Sequence, residues 1–539
     1  MRLRDLQTRV DDERSMRRLR RQIERVESFL EARGGPASDS PVLFFNASTR
    51  IHRLSLNAAF GRLAAWGVRA AGTPVRHVVC EAGLLQCPLG TQRLRLEAGP
   101  PCGPCTRFSR TLFREQEVLP LSPPIETAAV EDLALARLDQ LASWQFRGYA
   151  LGELVLPSLR WVLRRHDLED TPAVRNLFLR YLASAAHVVL RFETLLTELR
   201  PRALVVFNGI MFPEAAARAV FLRAGLPVVT HEVGLRPMSA FFSHGHATFR
   251  QVEPEEGGEL SPAQARRLDA YLQDRFNGRF SMAGIRFWPE MRPLPEGMRR
   301  RLEAEGPAVL VFPNVVFDTS QIHANNLYPS MFAWLEDIRQ AMRRHPERLF
   351  VLRAHPDENR PGKEAQQSVA QWVVASGVDR LRNVVFLGPS EQVSTYDLFR
   401  LGSMVLVYNS SVGLEASIAG LPVLCAGRAR YSQAGAAFQP GSREGYRETL
   451  EGWLVAGEVQ PGKDHADRAR RFLDFELFRA SLDFSPFLRD RAGYPGMVEF
   501  LPFDPAELNR SADLDVIVRG ILDGAPFVRP ESESVTATV

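Results

Sequence analysis

The 539-residue chain has no Walker-type phosphate loop, and no GxGxxG fingerprint opens either half of it. Those absences argue against an ATPase of the P-loop kind and against a simple dehydrogenase. No apolar stretch approaches the ~18 residues of a membrane span before Arg or Glu interrupts it. The opening MRLRDLQTRVDDERS lacks the apolar core of a signal peptide. A cytoplasmic site is therefore expected, with peripheral contact at an inner membrane left open. Cysteine is scarce: five residues, an odd number, four of them between 80 and 105. That is no disulfide framework. Charge of one sign is also modest. A formal net charge of +4 and a pI near 8.9 tolerate an anionic ligand or surface without demanding nucleic acid. Basic residues are scattered, and the aromatic residues form no stacking motif.

What is present fits a folded α/β protein. Hydrophobic residues make up 45% and charged residues 24%, and the length suits two large domains. Residues 1–35 read as a basic N-terminal helix. Met16, Leu19, Ile23, Val26 and Leu30 form one stripe, fit for packing or for self-association into a homodimer. A first domain is expected over 36–300. It opens with a short buried strand at 42–45, a helix, and a strand at 75–80. Residues 81–118 read as irregular. Helical patterning runs from about 127 to 199 and is kinked or split at Pro157. A strand at 203–209, a helix, and a strand at 226–234 follow. The second domain, 301–500, repeats the alternation: strands at 308–312, 348–356, 383–388, 404–411 and 421–427, with helices near 330–344, 364–376 and 394–400. Residues 501–539 read as a C-terminal helix and tail. In such parallel sheets ligands bind at the carboxyl ends of the strands.

Candidate functional residues follow from that rule. Cys80, Cys87, Cys102 and Cys105 could close a structural zinc site, or stay reduced and free. In the second domain, Arg353 and His355 of RAHP stand at a strand end, suited to a phosphate oxygen or leaving group. Ser410 and Ser411 open a helix, where hydroxyls and first-turn N–H groups attract an anion or merely cap. Gly413 would allow a phosphate to approach closely, and Glu415 would cap the turn or accept from ribose hydroxyls. Asn314, Asp318 and Gly388 fall on the same inferred rim. In the first domain, Glu232 is the best general-base candidate. His231 is the runner-up, and His244 and His246 are further options. No pair of carboxylates at glycosidase spacing is evident.

The segments RAHPDE (353–358) and YNSSVGLEASIAGLPVLCAG (408–427) resemble those of bacterial capsule and surface-polysaccharide glycosyltransferases. The likeness is to the Kdo-transferase-like group and to sialyltransferases with His-Pro and Ser-Ser motifs. THEVG (230–234) resembles the acceptor-side segment, with His-Glu-Val-Gly in place of a paired acidic motif. The resemblance covers about 305–430. It implies a GT-B fold with two Rossmann-like domains around a cleft. It implies a nucleotide-sugar donor, CMP-activated acidic sugars being favoured, and a glycan or glycolipid acceptor. No catalytic cofactor or divalent metal would be needed. It places the His-Pro histidine, His355, and the serine pair, Ser410 and Ser411, on donor phosphate. A nucleotide-sugar epimerase or hydrolase of similar fold, and a non-catalytic glycan-binding protein, are the alternatives.

Overall fold

A computed structural model describes residues 3–33, 39–123, 125, 127–246, 258–277, 292–317 and 321–530. In the first half, six strands are laid down: β1 Val42–Phe45, β2 Val75–Cys80, β3 Val118–Leu121, β4 Ala203–Phe207, β5 Val228–Val233 and β6 Ser239–Ser243. The second half contributes β7 Ala308–Phe312, β8 Phe350–Arg353, β9 Val384–Leu387, β10 Gly402–Val407 and β11 Val423–Cys425. The chain then returns to the first sheet with β12, Leu482–Asp483, which pairs antiparallel with β6.

The two large sheets share one topology. The first runs β3-β2-β1-β4-β5, all parallel, and β6 and β12 extend it antiparallel. The second runs β9-β8-β7-β10-β11, all parallel. In both, the strand order reverses beside the first strand, which creates a crevice at its carboxyl end. Each sheet is buried on both faces, as apolar runs such as VLFF and AVLVF require. Side chains alternate between layers: Val42 and Phe44 join one core, Leu43 and Phe45 the other. Leu310 and Val311 divide the second domain in the same way.

Several expectations need correction. The helix Leu3–Ala32 turns its stripe onto its own first domain: Leu19, Ile23, Val26 and Leu30 are buried in that core. Of the two readings of the stripe, packing is the one the fold uses, and its buried face is not available for self-association. Glu27 locks it there, accepting from Arg62 at 2.5 Å, the Trp66 indole at 2.7 Å and Arg69 at 2.5 Å. Residues 81–118 are not wholly irregular. They hold the helix Cys102–Leu112 and lead into edge strand β3. Pro157 sits inside an unbroken helix, Leu151–Leu163.

The domain limits also move. Leu268, Leu272 and Leu294, expected in the first domain, pack into the second sheet's core. The segment from Leu482 onward, expected partly in the second domain, packs on the first through Phe484, Phe500, Leu514 and Ile517. A two-residue strand such as β12 leaves too little periodicity to be read from sequence.

Candidate active site at the domain junction

The second domain's topological crevice lies between β7 and β10. Asn314 follows β7, and Asn409, Ser410 and Ser411 follow β10. The Asn409 N–H donates to Asn314 Oδ1 at 3.4 Å, so the two loops are joined there. These residues line a cavity of about 360 Å³. Its opposite wall comes from the first domain: Trp161 and Arg164 at the end of the helix Leu151–Leu163, and Leu235 beyond β5. The cavity holds five basic side chains, Arg164, Arg275, Lys363, Arg428 and Arg430, against three carboxylates, Asp357, Glu415 and Glu476. An anionic ligand is favoured by that balance.

His355 lines the cavity directly after β8. Its Nδ1 accepts the Asp357 N–H at 3.2 Å. An accepting Nδ1 carries no proton, so the neutral ring bears its proton on Nε2, the donor needed for a phosphate oxygen. Ser410 is held by its carbonyl, which accepts from the Tyr431 hydroxyl at 2.5 Å and from Gly413 N–H at 3.1 Å. Ser411 caps the helix Val412–Ile418 without a side-chain bond to it. Its hydroxyl is therefore not committed to the helix. With only seven residues in that helix, its N-terminus by itself makes no anion site.

Not all the expected residues reach the cavity in the expected role. Arg353 does not line the cavity; it is buried and donates to Thr395 Oγ1 at 2.7 Å, and burial lowers its pKa to about 10. It is the last residue of β8 and lies behind the rim. Glu415 borders the cavity, but Oε1 accepts from Arg275 at 2.8 and 2.5 Å and Oε2 from the Tyr396 hydroxyl at 2.8 Å. It is an internal ion pair rather than a ribose receptor. A Cβ on Gly413 would stand 2.2 Å from the Tyr431 hydroxyl. Glycine there makes room for Tyr431, not for phosphate. Gly388 lies outside the cavity, its N–H donating to Glu391 at 2.8 Å. Asp318 lies outside the described residues.

In the first domain, His231 and Glu232 are neighbours on β5 and so face opposite ways. His231 is fully buried, stacked on Phe242, with Nε2 3.3 Å from Asn46 Oδ1. Burial pushes its pKa down to about 3. It is a core residue, which removes it as a base. Glu232 is half-buried. Its Oε2 accepts from Asn208 at 2.7 Å and its Oε1 from the Val233 N–H at 2.9 Å. Burial raises its pKa, a shift that improves a base working at neutral pH. It does not line the cavity but feels Arg430, which does. His244 packs on Phe527 and bonds the Ala525 carbonyl at 3.0 Å; His246 packs against His323 with the rings tilted.

The four clustered cysteines are free thiols. Among the described residues no group of three or more His, Cys, Asp or Glu is placed to hold a metal. Burial pushes Cys80 and Cys87 up to about 12, so both are neutral. No zinc site is shown among the described residues, and the reduced, free alternative describes the four thiols as they stand. Sequence reasoning missed Trp161, Arg164, Lys363, Arg428 and Arg430. The doublet Arg164-Arg165 ending an apolar helix was the one local signal.

Two doubly wound domains of matching strand order, with a polar cleft between them, define the GT-B arrangement. Within it, residues 292–449 match the family described as capsule polysaccharide biosynthesis protein. Among solved structures, the chain is similar to the KpsC beta Kdo 2,4 transferase of Thermosulfurimonas dismutans. Identity is 14%, with 52% of this chain and 80% of that one covered and a TM-score of 0.34. The KpsC beta Kdo 2,7 transferase of the same organism shows 18% identity, 50% and 80% coverage, and a TM-score of 0.29. A UDP-GlcNAc 2-epimerase from Methanocaldococcus jannaschii shows 9% identity, 80% and 98% coverage, and a TM-score of 0.24. No curated protein matches the chain. Among the described residues no helix is long and apolar enough to cross a membrane.

Proposed function

We infer that the protein is a glycosyltransferase of surface-polysaccharide assembly, taking an acidic sugar from a CMP-activated donor to a glycan or glycolipid acceptor. The observation that carries this reading is the convergence of His355, Ser410, Ser411 and Asn314 on one cavity at the second domain's crevice. The match of residues 292–449 to a capsule polysaccharide family supports it.

In this reading the serine hydroxyls and the His355 Nε2–H donate to the nucleotide phosphate. They stabilise the charge that develops as the sugar–phosphate bond breaks. Glu232 takes the proton of the attacking acceptor hydroxyl, and its raised pKa suits that work. One displacement then inverts the anomeric carbon. The cleft aligns the two substrates and limits hydrolysis by water. Contact with a membrane surface would serve a lipid-linked acceptor.

The test supplies CMP-, UDP-, GDP- and dTDP-sugars with and without a glycan acceptor and follows both nucleotide release and sugar transfer. Acceptor-dependent release from a CMP-sugar is the expected result. Turnover without acceptor would replace transfer with epimerase or hydrolase chemistry. Binding without turnover under every condition would leave a glycan- or nucleotide-binding protein.

A further inference from the structure

Arg164 is built in a way that no element of the fold requires. It follows the helix Leu151–Leu163 as its C-cap, in the left-handed region at φ 58 and ψ 39. Glycine is the usual occupant there, and a larger residue is held in it only by its surroundings. Those surroundings are in the second domain. The Arg164 carbonyl accepts the Gln366 N–H at 2.8 Å, and the Gln367 side chain accepts the His166 and Asp167 N–H groups, both at 2.9 Å.

The side chain spans the same junction. Its guanidinium lies 4.4 Å from the ring centre of Trp161, on its own helix, and 4.8 Å from that of Phe317, beyond β7. It is 8% exposed. Burial lowers its pKa to about 10, with Arg93 opposing and Glu364 favouring the charge, so it stays cationic at neutral pH. Among the described residues nothing accepts a hydrogen bond from it. Glu364, the one carboxylate in electrostatic reach, is half-exposed and pairs with Arg93 at 3.7 Å. A buried charge without an acceptor is costly, yet this one faces the cavity. Two aromatic rings lie close to the guanidinium, and neither offers its N–H groups an acceptor oxygen. A planar edge of paired N–H groups fits a carboxylate.

We propose that Arg164 receives the carboxylate of the acidic sugar, gripping it from the first domain while the second holds the nucleotide phosphate. The proposal rests on the donor reading above for the identity of the sugar. It makes the first domain a reader of sugar charge, and an uncharged sugar would leave the guanidinium buried without an acceptor.

The test measures binding of Kdo, Kdo methyl ester and methyl phosphate to the full chain and to Arg164→Lys and Arg164→Met, by ligand-observed magnetic resonance. CMP is titrated separately. The wild type should prefer Kdo over its ester at least about tenfold. Arg164→Met should abolish that preference and change CMP affinity less than twofold. Arg164→Lys should keep part of it, since charge remains but the planar fork is lost. Equal binding of acid and ester by the wild type would overturn the proposal, and so would a preference that survives Arg164→Met. If Arg164→Met loses methyl phosphate or CMP instead, the guanidinium belongs to phosphate and the carboxylate assignment fails. Should Arg164→Met not fold, Arg164→Lys and the wild-type comparison of acid with ester decide. Failure of CMP to bind the wild type would break the nucleotide reading, while the acid and ester arms still judge Arg164.

Discussion

The two domains share one strand order, yet their topological crevices have opposite fates. In the second domain, the loops after β7 and β10 meet through Asn314 and Asn409 and leave Ser410, Ser411 and His355 on an open cavity. In the first, the loops after β1 and β4 are sealed. The Ser48 N–H donates to Glu214 at 2.6 Å, and Asn208 is buried, donating to Glu232. Burial raises Glu214 to about 7. The first domain instead reaches the cleft from the side, through Trp161, Arg164 and Leu235. A polar residue in the loop after the first or fourth strand is thus a ligand candidate only where that loop remains open. Topology sets the place, and loop packing decides the use.

Substitutions can break that contrast, and the largest effect belongs to the open crevice. His355→Ala should lower the transfer rate by about 10²–10³ with little change in melting temperature, as expected for loss of one donor to a developing charge. Steady-state kinetics beside a thermal melt separates the two.

On the sealed side the large effect is on stability and its pH dependence. The ordinary carboxyl value for Glu214 is 4.5 and the folded value about 7. Between those values the unfolded chain releases a proton that the folded chain keeps, so stability falls as pH rises through that window. The full penalty, on the order of 3 kcal/mol, is present above about pH 7. Glu214→Gln should flatten this dependence in denaturant titrations at pH 5 and pH 8. It should leave nucleotide affinity alone.

Smaller effects sharpen the boundary between the crevices. The double change Ser410→Ala and Ser411→Ala should weaken CMP binding by about tenfold, the scale of losing one or two hydrogen bonds to a charged oxygen. Gly413→Ala should destabilise the fold by about 1–3 kcal/mol, because the added methyl meets Tyr431. Its effect on CMP should appear only through displacement of the Ser410 carbonyl. Smallest of all, His231→Gln should leave turnover within about threefold, since a core histidine contributes none of the proton transfer that Glu232→Gln should remove. A large loss of turnover in His231→Gln with a normal melt would reverse the assignment of those two neighbours.

Much of the architecture was legible in the sequence because buried parallel strands leave short apolar runs at regular intervals. VLFF, ALVVF, AVLVF and MVLV all lie in strands or overlap them. The rim residues were legible by position, since they follow those runs. Their orientation was not. His231 and Glu232 differ by one residue and by one face of the sheet. Arg353 and His355 differ by whether the strand has ended. Gly413 and Glu415 looked like parts of a phosphate turn, but Tyr431 and Arg275, distant in sequence, claim them. Arg164 was missed for the same reason. Its role depends on Phe317 and Gln366, which no local pattern brings near it.

The most direct measurement is a calorimetric titration of CMP into the wild type, His355→Ala, the Ser410/Ser411 double-alanine variant and His231→Gln. CMP should bind the wild type and His231→Gln with closely similar affinity, and the other two clearly more weakly. Absence of binding to the wild type, or equal binding by all four proteins, would contradict a nucleotide site at the second domain's crevice.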